Sequence, residues 1–307
     1  MRIFALLFIF ISSLTSHPQS STGTQEQIIF KAANVTPAPG RYEWQKLEFI
    51  AFAHYGINTF TGREWGDGSE DPKFFKPTEF DARQWTNLLK DSGVKMLILT
   101  AKHNDGFCLT PSKYTEHSFK NSARKNWKGD IVRDVSEECK ESGLIFGVYL
   151  SPRDRNNQSC GDSPIYNEYF RSRLAELLSD YEEITEVWFY IACGEGPNGK
   201  RQIYDWQSYY KIIRELQPGA VIFGMAPDVR CVGTESGSGR ETEWSVLPDE
   251  NKNTIPSEIK LPKFTVGNTN NVTMLGSPEK LYLEKEATDF KTHIPQSLQN
   301  IPPREKG

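Results

Sequence analysis

The chain has 307 residues, 37% hydrophobic and 25% charged, with a formal net charge of −4. That length supports one large domain or two modest ones around a sizeable core. The mildly acidic balance, with no basic stripe, argues against a nucleic-acid surface.

In chain order, Met1-Arg2 precedes the apolar run Ile3–Ile11, and Ser12, Ser13, Thr15 and Ser16 follow. This pattern predicts a secretory signal over residues 1–20, too short for an ordinary membrane span, and so export to a periplasmic or extracellular space. No later run is long enough to cross a membrane. Phe49–Ala53 is the first predicted strand and ends at His54-Tyr55-Gly56. Ala82–Asp91 reads as a helix stopped by Gly93. Val94–Ala101 reads as a strand buried on both faces, and it empties into Lys102-His103-Asn104-Asp105. Asp130 is placed to cap a helix that runs to Gly143. Leu144–Leu150, Glu186–Ala192 and Ala220–Met225 are strands, with helices over Tyr166–Tyr181 and Trp206–Leu216 between them. A Gly-rich loop, Cys193–Gly199, follows the Glu186 strand.

Repeated strand–helix units predict a mostly parallel sheet with right-handed crossovers. Two folds satisfy this: a (β/α)8-type (TIM-like) barrel and an open doubly wound sheet. No Gly-x-Gly-x-x-Gly turn supports dinucleotide binding. After Glu243 the alternation is lost among Pro256, Pro262 and Pro278. The expected layout is a barrel domain over 25–250, incomplete at its C-terminal end, an irregular tail over 251–307, and no C-terminal β-domain. The five cysteines form no scaffold and no zinc spacing, which leaves one or two bridges open. Asn34, Asn157 and Asn271 begin glycosylation acceptor triplets.

Polar residues gather where strands end: His54, Glu64 and Trp65, then His103 and Asn104, Tyr149, Trp188 and Arg230. In a barrel these ends share one face, where substrate binds. Histidine, glutamate and asparagine suit the hydroxyls of a sugar, and tryptophan suits its apolar face. Taken singly, each also has an ordinary role as a core or salt-bridge residue. Their common placement marks a site.

Several stretches in this order resemble glycoside hydrolase family 29, the α-L-fucosidases, and in particular the branch acting on α-1,3/1,4-fucosylated glycans. They are His54–Thr61, Glu64–Gly68, Lys102–Phe107, Tyr149–Pro152, Trp188-Phe189, Ala192–Lys200, Pro227–Arg230 and Glu243–Val246. The resemblance covers Tyr42–Pro248. It implies a (β/α)8-like catalytic barrel, a fucosylated oligosaccharide or glycoconjugate as partner, and sugar contacts from His54, Glu64, Trp65, His103, Tyr149 and Trp188. It implies no cofactor and no metal, because two carboxyl groups carry the retaining double displacement.

The chain departs from the family pattern at the nucleophile. Where the family reads Trp-Phe-Asp-Gly-Ala, this sequence reads Trp188-Phe189-Tyr190-Ile191-Ala192. A phenol titrates near 10 and an aspartate near 3.9, so Tyr190 is a poor substitute at neutral pH. Arg153 and Cys231 replace expected tryptophans. No acid/base carboxyl is identifiable: Glu235, Glu241, Glu243 and Glu250 lack the family's flanking sequence, while Glu195, near the site loop, and Asp105, near the second strand end, are open either to a substitute acid role or to orienting their neighbours. Three readings stay open: a retaining α-L-fucosidase, an inactive fucose- or glycan-binding pseudoenzyme, and a decayed, poorly folding chain.

Overall fold

The computed structural model describes residues 37–123, 129–190, 196–224 and 228–230, with Glu26, Phe30 and Asn34. The expected signal, residues 193–195 of the Gly-rich loop and the tail lie outside these residues. Six strands form one sheet: β1 (Ile50–Ala53), β2 (Met96–Lys102), β3 (Ile145–Leu150), β4 (Glu186–Phe189), β5 (Val221–Gly224) and β6 (Val229–Arg230). Every neighbouring pair is parallel and the spatial order is β1-β2-β3-β4-β5-β6. A doubly wound sheet must reverse its order at a switch point. No reversal occurs across these six described strands, an order that matches the wall of a (β/α) barrel and not a doubly wound sheet with its switch point among them.

Six α-helices with defined bounds accompany the strands among the described residues: α1 (Pro39–Gln45), α2 (Asn58–Thr61), α3 (Ala82–Asp91), α4 (Ile131–Ser142), α5 (Ser163–Ser179) and α6 (Trp206–Leu216). The strand register sorts side chains by the two-residue period. Leu97, Leu99, Val148, Val187, Phe189 and Ile222 point outward into one core with Val135, Phe170, Leu174, Tyr209 and Ile213 of the helices. Met96, Ile98 and Tyr149 face the other way, joined by Ile50, Ile145, Trp188 and Tyr190. Trp44 and Leu47, at and after the end of α1, pack on this inner face.

Local signals explain the elements. Asp130 Oδ1 accepts from the Val132 and Arg133 amides, and Gly143 (φ +71°) ends α4 in the left-handed conformation. Asp81 and Asp205 cap α3 and α6 in the same way. The β2 strand starts two residues later than the apolar run predicts and takes in Lys102. Cys108, Cys139 and Cys160 are buried free thiols, while Cys193 and Cys231 lie outside the described residues. No helix among the described residues is long and apolar enough to cross a membrane.

Candidate active site

Parallel winding puts the carboxyl ends of β1 to β4 side by side, and the inner-face residues there form a continuous set of rings. His54, just past β1, meets His103, just past β2, edge to face at 4.4 Å between centroids. His103 is 6.0 Å from Tyr149 and 6.3 Å from Trp65. Tyr149 packs edge to face on Trp188 at 5.5 Å, and Phe52 bridges Tyr149 and Trp188. Register produces this row, because Thr100 pairs with Tyr149 and Tyr149 with Trp188.

Burial decides the charge of the imidazoles. His54 is lowered by desolvation, partly offset by the nearby Glu64 carboxylate. His103 is pushed down to about 3, first by burial and then by His54, Lys102 and Arg155. A neutral imidazole offers one donor and one acceptor, the mixture a sugar hydroxyl needs. His103 Nδ1 and Trp188 Nε1 are buried and have no hydrogen-bond partner among the described residues. Such atoms are expensive unless a ligand meets them.

A layer of polar residues underpins the row. Lys102 and Asp154 are fully buried and 3.5 Å apart. Lys102 also donates to the Arg153 carbonyl at 2.8 Å. The other oxygen of Asp154 accepts from the Asn156 and Asn157 amides. Asp105 accepts from Asn58 at 2.9 Å and from the Phe107 amide at 2.6 Å. Burial nevertheless pushes its carboxyl up to about 6. A Cβ at Gly66 would stand 2.6–2.7 Å from Glu70, Asn58 and Asp105, so only glycine lets the Trp65 loop approach this layer.

The fold brings together His54, Trp65, His103, Tyr149 and Trp188 through ring contacts, with Glu64 close enough to bias His54. Trp65 is 39% exposed at the rim. Asn104 is buried and its amide oxygen accepts from Ser151 Oγ, so it braces the β2 and β3 ends. Arg230 lies on β6, paired with Gly224, but its side chain is outside the description. Tyr190 is half-buried against the same inner cluster as Met96, Tyr149 and Trp188. Ile191, Glu195 and the downstream glutamates 235, 241, 243 and 250 lie outside the described residues. Sequence reasoning missed Lys102–Asp154, Asn58 and Arg155. Their charged and amide side chains beside strand ends were the available signal. Among the described residues no group of three or more His, Cys, Asp or Glu could hold a metal ion.

Comparison with known proteins identifies the family. The family model described as Alpha-L-fucosidase matches residues 31–231. The chain is 42% identical over 246 residues to Alpha-L-fucosidase 1 of Arabidopsis thaliana, covering 78% of this chain and 48% of that one. The crystal structure of a glycoside hydrolase 29 family member from an unknown rumen bacterium superposes with a TM-score of 0.64 at 47% identity, over 69% of this chain and 40% of that one. A Ruminococcus gnavus GH29 fucosidase in complex with fucose superposes with a TM-score of 0.65 at 33% identity, over 79% and 53%. The chain therefore spans about half the length of the relatives it matches. On the family match and the shared parallel wall, this chain belongs to the α-L-fucosidases of glycoside hydrolase family 29.

Proposed function

We propose that this chain carries the fucose-binding part of a retaining α-L-fucosidase site, and that its own turnover is lost or very slow. The observation that carries the reading is the row His54–His103–Tyr149–Trp188, with Tyr190 on the same inner face. Neutral imidazoles and the unpartnered Trp188 N–H suit hydroxyl recognition, and the exposed ring of Trp65 suits the apolar face of the sugar.

A retaining mechanism needs one carboxylate to attack the anomeric carbon and one carboxyl group to protonate the leaving oxygen. Tyr190 stands where the sequence pattern puts the attacking carboxylate. A phenol is mostly protonated at neutral pH and is a weak nucleophile without an assisting base. Loss of a group that acts in concert with others removes most of the rate. Asp105 is held by Asn58 and the Phe107 amide, which suits it to bracing rather than attack. The reading extends to an α-1,3/1,4-fucosylated glycan outside the cell, a cleaved signal over 1–20, a (β/α)8 barrel over 25–250 and a tail over 251–307.

The test pairs binding with turnover on the purified full chain. Calorimetry is expected to show fucose binding with a Kd of about 1 mM, equivalent to about 4 kcal/mol. Wild-type protein is expected to release no nitrophenol from nitrophenyl α-L-fucoside. Tyr190→Asp with Ile191→Gly is expected to bring release to at least about 10-fold above the no-enzyme background, because it restores a carboxylate and a small neighbour. Absence of binding heat removes the reading. Robust wild-type release that Tyr190→Phe abolishes reverses it and makes the phenol catalytic.

A further inference from the structure

The loop carrying Glu64 and Trp65 is held from across the sheet by two consecutive side chains, and the first of them, Arg155, reaches Trp65. Its Nη1 donates to the Gly66 carbonyl at 2.6 Å. Its guanidinium carbon lies over the Trp65 ring, 5.5 Å from the centroid, within the range of cation–π attraction. Its backbone amide donates to the Asn104 carbonyl at 2.8 Å, so one residue ties together the loops after β1, β2 and β3. The next residue repeats the link, with Asn156 Nδ2 donating to Gly68 O at 2.8 Å. Gly68 has φ +90°, and a Cβ there would stand 2.4 Å from the Arg155 carbonyl carbon. Both segments are therefore shaped for close approach.

Glu70 holds the near side of the same loop by accepting from the Asp67 and Gly68 amides. Those bonds fix the backbone of the loop. Nothing in them fixes the plane of the indole, and the guanidinium does.

We infer that Arg155 is a positioning residue for sugar recognition: it covers one face of Trp65 and presents the opposite face to the apolar side of the bound sugar. The inference rests on the fucose-binding reading above. A lysine cannot reproduce it, because a point charge on a flexible stem cannot stack and donate to Gly66 in one fixed plane.

A double-mutant cycle on fucose affinity tests this, using Arg155→Met, Trp65→Ala and the pair in the full chain, with Arg155→Lys as the charge-preserving control. Arg155→Met is expected to weaken fucose binding about 10-fold, and Arg155→Lys to recover little of it. In the Trp65→Ala background, Arg155→Met is expected to cost nothing further, because its action passes through the ring. Losses that multiply, or an unchanged affinity in Arg155→Met, overturn the inference. A second measurement needs no ligand. Acrylamide quenching of the Trp65 emission, taken as the difference from Trp65→Phe, is expected to rise about 2-fold in Arg155→Met. Unchanged quenching, even with a lowered unfolding midpoint, makes Arg155 a mere loop clamp and overturns the inference. If wild-type protein binds no fucose, the sugar-binding reading falls, and the quenching result alone decides the role of Arg155.

Discussion

At the amino-terminal ends of the strands, the inner sheet face is covered by Trp44 and Leu47 packed on Met96, Ile98 and Ile50. At the carboxyl ends the same face carries His54, His103, Tyr149 and Trp188, two of them with buried polar atoms left unpartnered. One alternation of side chains supplies both ends, yet the floor is filled and the mouth is left open to bonding. At the floor the Glu186 carboxyl accepts from Trp44 Nε1 at 2.5 Å. A second tie crosses the floor from α1, where Arg41 reaches Asp228, which also holds Arg214 and the Ile222 amide. The mouth holds a buried ion pair and loops joined by long-range hydrogen bonds. The difference teaches that one end is closed by packing, while the other, braced by its own buried ion pair, keeps polar atoms for recognition, as expected when a site is placed on a rigid wall.

Substitutions at the two ends can break that contrast. Lys102→Met is the harshest, because it leaves the buried Asp154 uncompensated. It is expected to lower stability by about 4 kcal/mol in urea unfolding and to abolish fucose binding. Wild-type stability would mean that the mouth does not depend on this pair. Trp44→Ala is expected to cost about 3 kcal/mol, through lost packing and an orphaned Glu186, with fucose affinity within about 2-fold of wild type. A large loss of affinity would show that floor and mouth are coupled.

The smallest effect sharpens the contrast through pH. Burial pushes the Glu186 carboxyl up to about 7 from its ordinary 4.5, and the Trp44 bond offsets only part of that. The folded state thus keeps this proton longer than the unfolded chain does. The contribution of Glu186 to stability should fall as pH rises from about 4.5 to about 7, and level off above. Glu186→Gln removes the loss, with no change expected at pH 4 and a gain of about 2 kcal/mol at pH 8 in denaturant unfolding. Equal effects at both pH values would exclude this titration.

What the sequence made legible was local. Asp130 and Gly143 bound α4 because a cap and a left-handed stop act within one turn. The apolar run from Glu186 announced a strand, and the structure forms β4 there and groups Trp188 and Tyr190 on the inner cluster. The α1 floor was not foreseen, because seven residues carry too little periodicity to announce a helix. Arg155 and Gly66 are 89 residues apart, and no local rule connects a guanidinium to a carbonyl at that range. Asn104 shows the limit from the other side: its type suited a sugar contact, while its position gives its amide oxygen to Ser151.

The three buried thiols have a practical consequence. Burial raises Cys108 to about 11 and Cys139 to about 12, with Cys160 raised as well, so almost no thiolate is present at neutral pH. A thiol-specific reagent can reach them only when the wall opens. Cys139 sits within α4 and Cys108 beside Arg173 of α5, so their labelling rates are native clocks for how often each part of the helical layer breathes.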